Sequence, residues 1–239
     1  HSRMGRWLWA VGYPTLLFLG LVLPIVVQPD FDIPFVMSLV FFTMLLASGL
    51  DWRNLVIYPA LAAPALALLI LKTPYRVKRL IAFFAVWKSK DAVSAGTGAS
   101  YQVSQALLAL GSGGFFGKGL GESWLKLHYL PQPHTDFIFP VIGEELGFAG
   151  SASVVVLFAV VAVRGLRAAV AAERLFERQL AAGLTFLIVF QAAIHMAVTT
   201  ALIPTKGITL PFISYGGSSL LASCLAAGIL LRISRQTNR

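Results

Sequence analysis

The sequence is short of charge. Only 12% of its 239 residues are Asp, Glu, Lys or Arg, and acids are the scarcer sign, 10 against 19 bases. Average soluble domains carry about 25% charged residues, so a solvated globular surface is excluded. Cysteine is almost missing as well: Cys224 stands alone, which rules out a disulfide framework and leaves the redox compartment unreadable. No His or Cys cluster has metal-ligand spacing, no phosphate loop or nucleophile elbow occurs, and no repeat at a solenoid period is visible. What fills the chain instead is apolar: 57% of residues are hydrophobic and the mean hydropathy is +0.79. This composition predicts an all-α, polytopic membrane protein. The net charge of +9 is scattered over loops and termini rather than gathered in a stripe, which suits anionic or phosphate-bearing lipid better than nucleic acid.

Taking roughly 20 apolar residues as one crossing, about six transmembrane helices are expected, over residues 8–27, 34–50, 55–71, 137–163, 180–203 and 208–233. Pro59 and Pro64 are expected to kink the third. Arg3 and Arg6 ahead of the first run resemble the opening of a signal peptide, but the run is too long and has no small-residue cleavage site, so it reads as a span. Between the third and fourth spans lies a long loop, 72–136, within a single membrane domain, 1–239. Its basic and aromatic start, 75–90, suits an interfacial helix; 94–100 reads as a loop, 102–110 as a re-entrant or interfacial helix, and 111–121 as a glycine-rich turn region. Six crossings put Arg3, Arg6, Arg53, the group Arg164 to Arg178, and the tail Arg232 to Arg239 on one side, expected to be cytoplasmic. The long loop, residues 29–32 and residues 204–207 then share the external face.

Two polar blocks interrupt the apolar pattern. Residues 204–219, PTKGITLPFISYGGSS, break the helical ladder with Pro204, Gly207, Pro211, Gly216 and Gly217. Irregular backbone at membrane depth survives only when buried in protein or lining a wet cavity, so this block reads as the wall of a site. The second block, 117–147, contains LPQPHTDFIF and GEELG. Asp136 there has two readings: a helix cap, the commoner explanation on spacing alone, or a general base at the membrane boundary. Glu144 and Glu145 are too polar to face lipid and are either a buried structural pair or a cavity wall. Asp30 reads as a turn residue, His195 as a bonded core histidine, and Lys118, Lys126 and Lys206 either as solvated or as point charges for phosphate. Ser214, Gly216 and Gly217 fit either close helix packing or a bent, cavity-lining segment.

The stretches LPQPHTDFIFPVIGEELG and LIPTKGITLPFISYGGSS, with QPDF at 28–31, PYR at 74–76, YQ at 101–102 and GKGLG at 117–121 upstream, resemble the SEDS family (shape, elongation, division and sporulation) over essentially the whole chain. The PTKGITLP wording is that of its division branch rather than its elongation branch. The family consists of ten-helix membrane glycosyltransferases that polymerise lipid II into peptidoglycan strands beside a class B penicillin-binding protein, so six spans imply the carboxyl-terminal part of that fold. The resemblance implies that Asp136 activates the acceptor hydroxyl while undecaprenyl diphosphate leaves with inversion. It further implies substrate-binding roles for Asp30, Lys118, His134, Thr135, Glu145, Lys206, Ser214, Gly216 and Gly217, and a divalent cation, Mg or Mn, for which no dedicated site is legible. It places the protein in the bacterial inner membrane at the division septum. The chain departs from the family where it has His195 for a common Asn, Ala201 for Gly, Asp32-Ile33 for Gly-Thr, and an unusual 85–99 segment. Two other functions remain open: a flippase or transporter of the lipid-linked precursor, which would share the broken helices, and a regulatory scaffold of the division complex.

Overall fold

A computed structural model describes residues 12–27, 32–48, 77, 79–81, 83–84, 99–123 and 134–237. Six helices are delimited, α1 (Tyr13–Val27), α2 (Asp32–Ala47), α3 (Ala99–Ser112), α4 (Ile138–Ala171), α5 (Leu175–Thr199) and α6 (Gly217–Thr237); residues 77, 79–81 and 83–84 are helical too, and among the described residues there is no strand. By length and apolarity α4, α5 and α6 can each cross a membrane, and α1 and α2 are shorter apolar helices. The third expected span, 55–71, falls outside the described residues, as do Asp30 and Lys126.

The middle of the bundle is α5. Half of its most apolar window is buried, against 22% for α4 and α6, and it packs on α4, on α2 and on α6. Small residues permit this: Ala181 and Ala192 are fully buried, and a side chain on Gly165 of α4 would strike Thr185 of α5. The principal core joins Phe139, Val154 and Phe158 of α4 to Ile188 of α5 and to Leu230 and Ile233 of α6. A second cluster, Val36 with Ile194, Val198 and Ile208, fixes α2 against α5. The stacked rings of Phe18 and Phe41, 4.3 Å between centroids, join α1 to α2. Leu16, Leu21, Val156, Leu157, Val170 and Leu221 point outward, as lipid-facing residues do.

Several boundaries differ from expectation for identifiable reasons. Helix α3 begins at Ala99 and runs to Ser112, taking in parts of the segments read as loop and turn. The fifth span begins earlier, at Leu175, and stops at Thr199. The sixth helix begins at Gly217 rather than at 208, because Pro211 has no N–H to give and Phe212 adopts φ 66. Helix α4 is longer than expected, 34 residues and about 51 Å, well beyond the hydrocarbon thickness of about 30 Å. It is broken at Gly147, whose φ of 70 and ψ of −164 are non-helical. Residues 148–171 suffice to cross; 138–146 is a separate piece at the helix's amino end, carrying Glu144 and Glu145.

Candidate functional site

Three segments converge at one end of the bundle: the first turn of α2, the 134–137 turn that opens α4, and the irregular 200–216 connection. The connection departs from α5 through a Schellman turn. Leu202 N–H donates to Ala197 O at 2.8 Å and Ala201 N–H to Val198 O at 3.1 Å, with Ala201 left-handed at φ 57.

Beyond that turn the backbone is satisfied by side chains. His195 Nδ1–H donates to Ile208 O at 2.6 Å, and Gln191 Nε2 donates to Thr209 O and Oγ1. Ser214 Oγ accepts from Leu210 N–H and donates to Thr135 O, both at 2.7 Å, while Tyr215 N–H donates to His134 O. The wall is therefore stitched on one side to α5 and on the other to the residues preceding Asp136. This is the arrangement that irregular backbone in a membrane protein requires.

Asp136 is half-buried. A Cβ added to Gly207 would lie 3.3 Å from Asp136 Oδ2 and 3.9 Å from Asp32 Oδ2, so both carboxylates border the same point and glycine leaves it open. Asp32 Oδ2 accepts the Gly207 N–H at 2.8 Å. Arg79 Nη1 donates to Thr205 O at 3.1 Å, and Lys206 Nζ lies 3.5 Å above the Phe35 ring. Burial pushes the Asp136 carboxyl above the ordinary carboxylate range; the Thr135 hydroxyl bond opposes this, the Asp32 charge adds to it, and Arg79 opposes it. Burial also pushes the Lys206 ammonium below the usual lysine range, partly offset by Asp32.

Of the residues singled out in the sequence, Asp136, Thr135, His134, Lys206 and Ser214 meet at this end. Gly216 precedes α6 and Gly217 opens it, and a Cβ on Gly217 would meet nothing within 4 Å, so close packing is not what that glycine serves. Lys118 and the glutamates form a separate cluster. Lys118 Nζ pairs with Glu144 Oε1 at 2.8 Å, Ser123 Oγ donates to Glu144 Oε2 at 2.8 Å, and Glu145 is buried. Sequence reasoning missed Asp32 and Arg79. Asp32 registers in the sequence as a departure from the family pattern and as the end of a 29–32 turn on the same face as 204–207, and Arg79 only as one base of an interfacial segment; nothing local reveals the specific contacts with residues more than a hundred positions away.

For the divalent cation that the resemblance implies, the described residues make a poor holder. They contain no group of three or more His, Cys, Asp or Glu suited to a metal. The two neighbouring carboxylates are already bonded, Asp32 to Gly207 and Asp136 to Thr135.

The cell cycle protein family of FtsW, RodA and SpoVE matches residues 3–239. The chain belongs to this family. Among members of the FtsW/RodA/SpoVE family, it is 42% identical over 223 residues to a probable peptidoglycan glycosyltransferase FtsW from Geobacter sp. (strain M18), covering 93% of this chain and 59% of that relative. The fold is similar to a chain of a peptidoglycan synthase complex solved in work on the coordination of polymerization and crosslinking (TM-score 0.75, 27% identity, 97% of this chain and 62% of that one). It is also similar to the rod shape determining protein RodA of Thermus thermophilus (TM-score 0.64, 29% identity, 100% of this chain and 59% of that one). The chain thus spans less than two thirds of the length of each. Membership fixes it as a multi-pass membrane protein of the RodA-like fold.

Proposed function

We propose that this chain carries the catalytic carboxylate of a peptidoglycan glycosyltransferase that polymerises lipid II during septal wall synthesis. The observation that supports this most directly is Asp136: a partly desolvated carboxylate with raised proton affinity, at the open end of a broken-helix wall, with the Arg79 charge acting on it and Lys206 next to Gly207 in the same wall. A base poised above the usual carboxylate range accepts a proton more readily near working pH. In the proposed reaction Asp136 takes the proton of the acceptor glucosamine hydroxyl, whose oxygen bonds to the donor's anomeric carbon as the bond to the diphosphate oxygen breaks. Undecaprenyl diphosphate leaves and the configuration inverts. The departing negative charge meets Arg79 and Lys206, whereas Lys118 is engaged by Glu144.

In the proposed arrangement residues 1–239 form one membrane domain, the 72–136 loop and the Asp136 end face outside the inner membrane, and a class B penicillin-binding protein crosslinks the product. The charged residues described in α4, α5 and α6 lie near helix ends, which disfavours a charged path for transport through the bundle. The test is lipid II polymerisation by the full-length protein reconstituted with its transpeptidase partner. Asp136→Asn should lower the rate by about 10²- to 10⁴-fold, with insertion and partner binding unchanged. Undiminished glycan synthesis would remove Asp136 from the catalytic role and return transport or scaffolding to consideration; the cap reading of Asp136 is already excluded, because the N-cap of α4 is Phe137 and no side chain bonds there.

A further inference from the structure

The first turn of α2 reaches into the site with two residues. Asp32 and Phe35, three positions apart, lie on one helix face. The Asp32 carboxylate takes the Gly207 N–H at 2.8 Å and the Phe35 ring lies 3.5 Å beneath the Lys206 ammonium, so adjacent residues of the wall are gripped by a single turn of one helix. Resting on the reading of Asp136 as base, we propose that Asp32 is a positioning residue, one that ties the 204–207 segment to α2 and whose negative charge sets the pH window in which Asp136 and Lys206 act together. The site does not hold Asp32 as a mere helix-start residue, although an acid there also suits the helix dipole. Its carboxylate borders the same point as Asp136.

The charged groups acting on Asp136 are Asp32 from α2 and Arg79 from the 72–136 segment, with His134 exposed two residues before it; Lys206, next to Gly207 in the wall, is acted on by Asp32. Asp32 repels the deprotonated form of Asp136 and attracts the protonated form of Lys206. Removing its charge should move both protonations the same way. Asp136 would lose its proton at lower pH, extending the base's working range on the acid side, and Lys206 would lose its proton at lower pH, cutting off the alkaline side. A residue that only braced the backbone would change the rate and leave both limbs in place.

The decisive comparison is Asp32→Asn against Asp32→Ala in the full-length protein with its partner, as pH profiles of lipid II polymerisation. Asparagine keeps an acceptor for Gly207 N–H and loses the charge; alanine loses both. Both variants should shift both limbs downward, raising the relative rate on the acid limb by about threefold. The plateau should fall about tenfold further in Asp32→Ala than in Asp32→Asn, because only alanine releases the 204–207 segment. Profiles superimposable on wild type would overturn the proposal, as would a lower plateau with unmoved limbs. A second measurement does not need turnover. An apolar carbodiimide modifies protonated carboxyls, so the pH midpoint of Asp136 modification, read by mass spectrometry, should fall in Asp32→Asn. An unmoved midpoint would sink the electrostatic claim even if the protein proved to have another activity, and a lowered midpoint without any polymerisation by wild type would sink only the glycosyltransferase reading.

Discussion

Ala201 holds a backbone conformation that an L side chain resists. At φ 57 it occupies the position after the α5 cap where a Schellman turn ordinarily takes glycine, and the left-handed region costs a residue with a Cβ about 1–2 kcal/mol. Glycine adopts that conformation without the Cβ penalty. Ala201→Gly should therefore stabilise, but less than the full strain, since glycine loses about 0.5–1 kcal/mol more backbone entropy on folding. A net gain of about 0.5–1 kcal/mol, a rise of about 2 °C in apparent melting temperature in detergent, is expected. A fall would mean that the methyl group, buried in the turn, contributes more by packing than its backbone costs. The same scale separates what the sequence discloses from what it hides. Asp136 could be singled out because its neighbours form a distinctive string. Asp32 could not, because its meaning comes from Gly207, 175 positions later.

At the scale of elements, α4 shows how a polar segment is kept beside a membrane helix. Its break at Gly147 is filled by the loop after α3: Phe148 N–H donates to Gly114 O, Ala149 N–H to Phe115 O, Lys118 N–H to Glu144 O and Gly119 N–H to Glu145 O. The loop supplies the partners that the interrupted ladder has lost, and the Lys118–Glu144 pair with Ser123 closes the joint. A Cβ at Gly147 would run into Gly117 N and Phe115 O, in a φ, ψ region open essentially to glycine alone. Gly147→Ala should cost about 3 kcal/mol or more, read as a large drop in thermal stability in detergent, whereas Gly217→Ala, with open space around it, should cost little. Comparable losses at the two sites would contradict this account of the joint. Helix existence was legible here from apolar length alone. The break was not, because GEELG reads as part of the continuous 137–163 span until its backbone partners, about thirty residues upstream, are in view.

For the whole molecule, the separation of its two ends matters most. The basic residues Arg164, Arg167, Arg174, Arg178, Arg232 and Arg235 lie towards the end of the bundle where α4 and α6 finish and α5 begins, and Asp32, Asp136 and Lys206 lie at the other. With the basic end cytoplasmic, a membrane-impermeant maleimide applied to spheroplasts should label Tyr215→Cys and leave Glu173→Cys untouched in a Cys224→Ser background. The reverse pattern would invert the proposed topology. Apolar runs made this bundle legible as a membrane protein, yet they misplace the start of the last helix, because hydropathy does not distinguish a helix from an apolar chain held by side-chain hydrogen bonds. That holding also fixes the depth of the site. Gln191 and His195 stand one turn apart on the most interior helix and fasten Thr209 and Ile208 like two pins through a hinge plate. The wall is moored to the protein's own axle and not to the lipid interface, so a thicker or thinner bilayer moves the waterline without changing the shape of the dock.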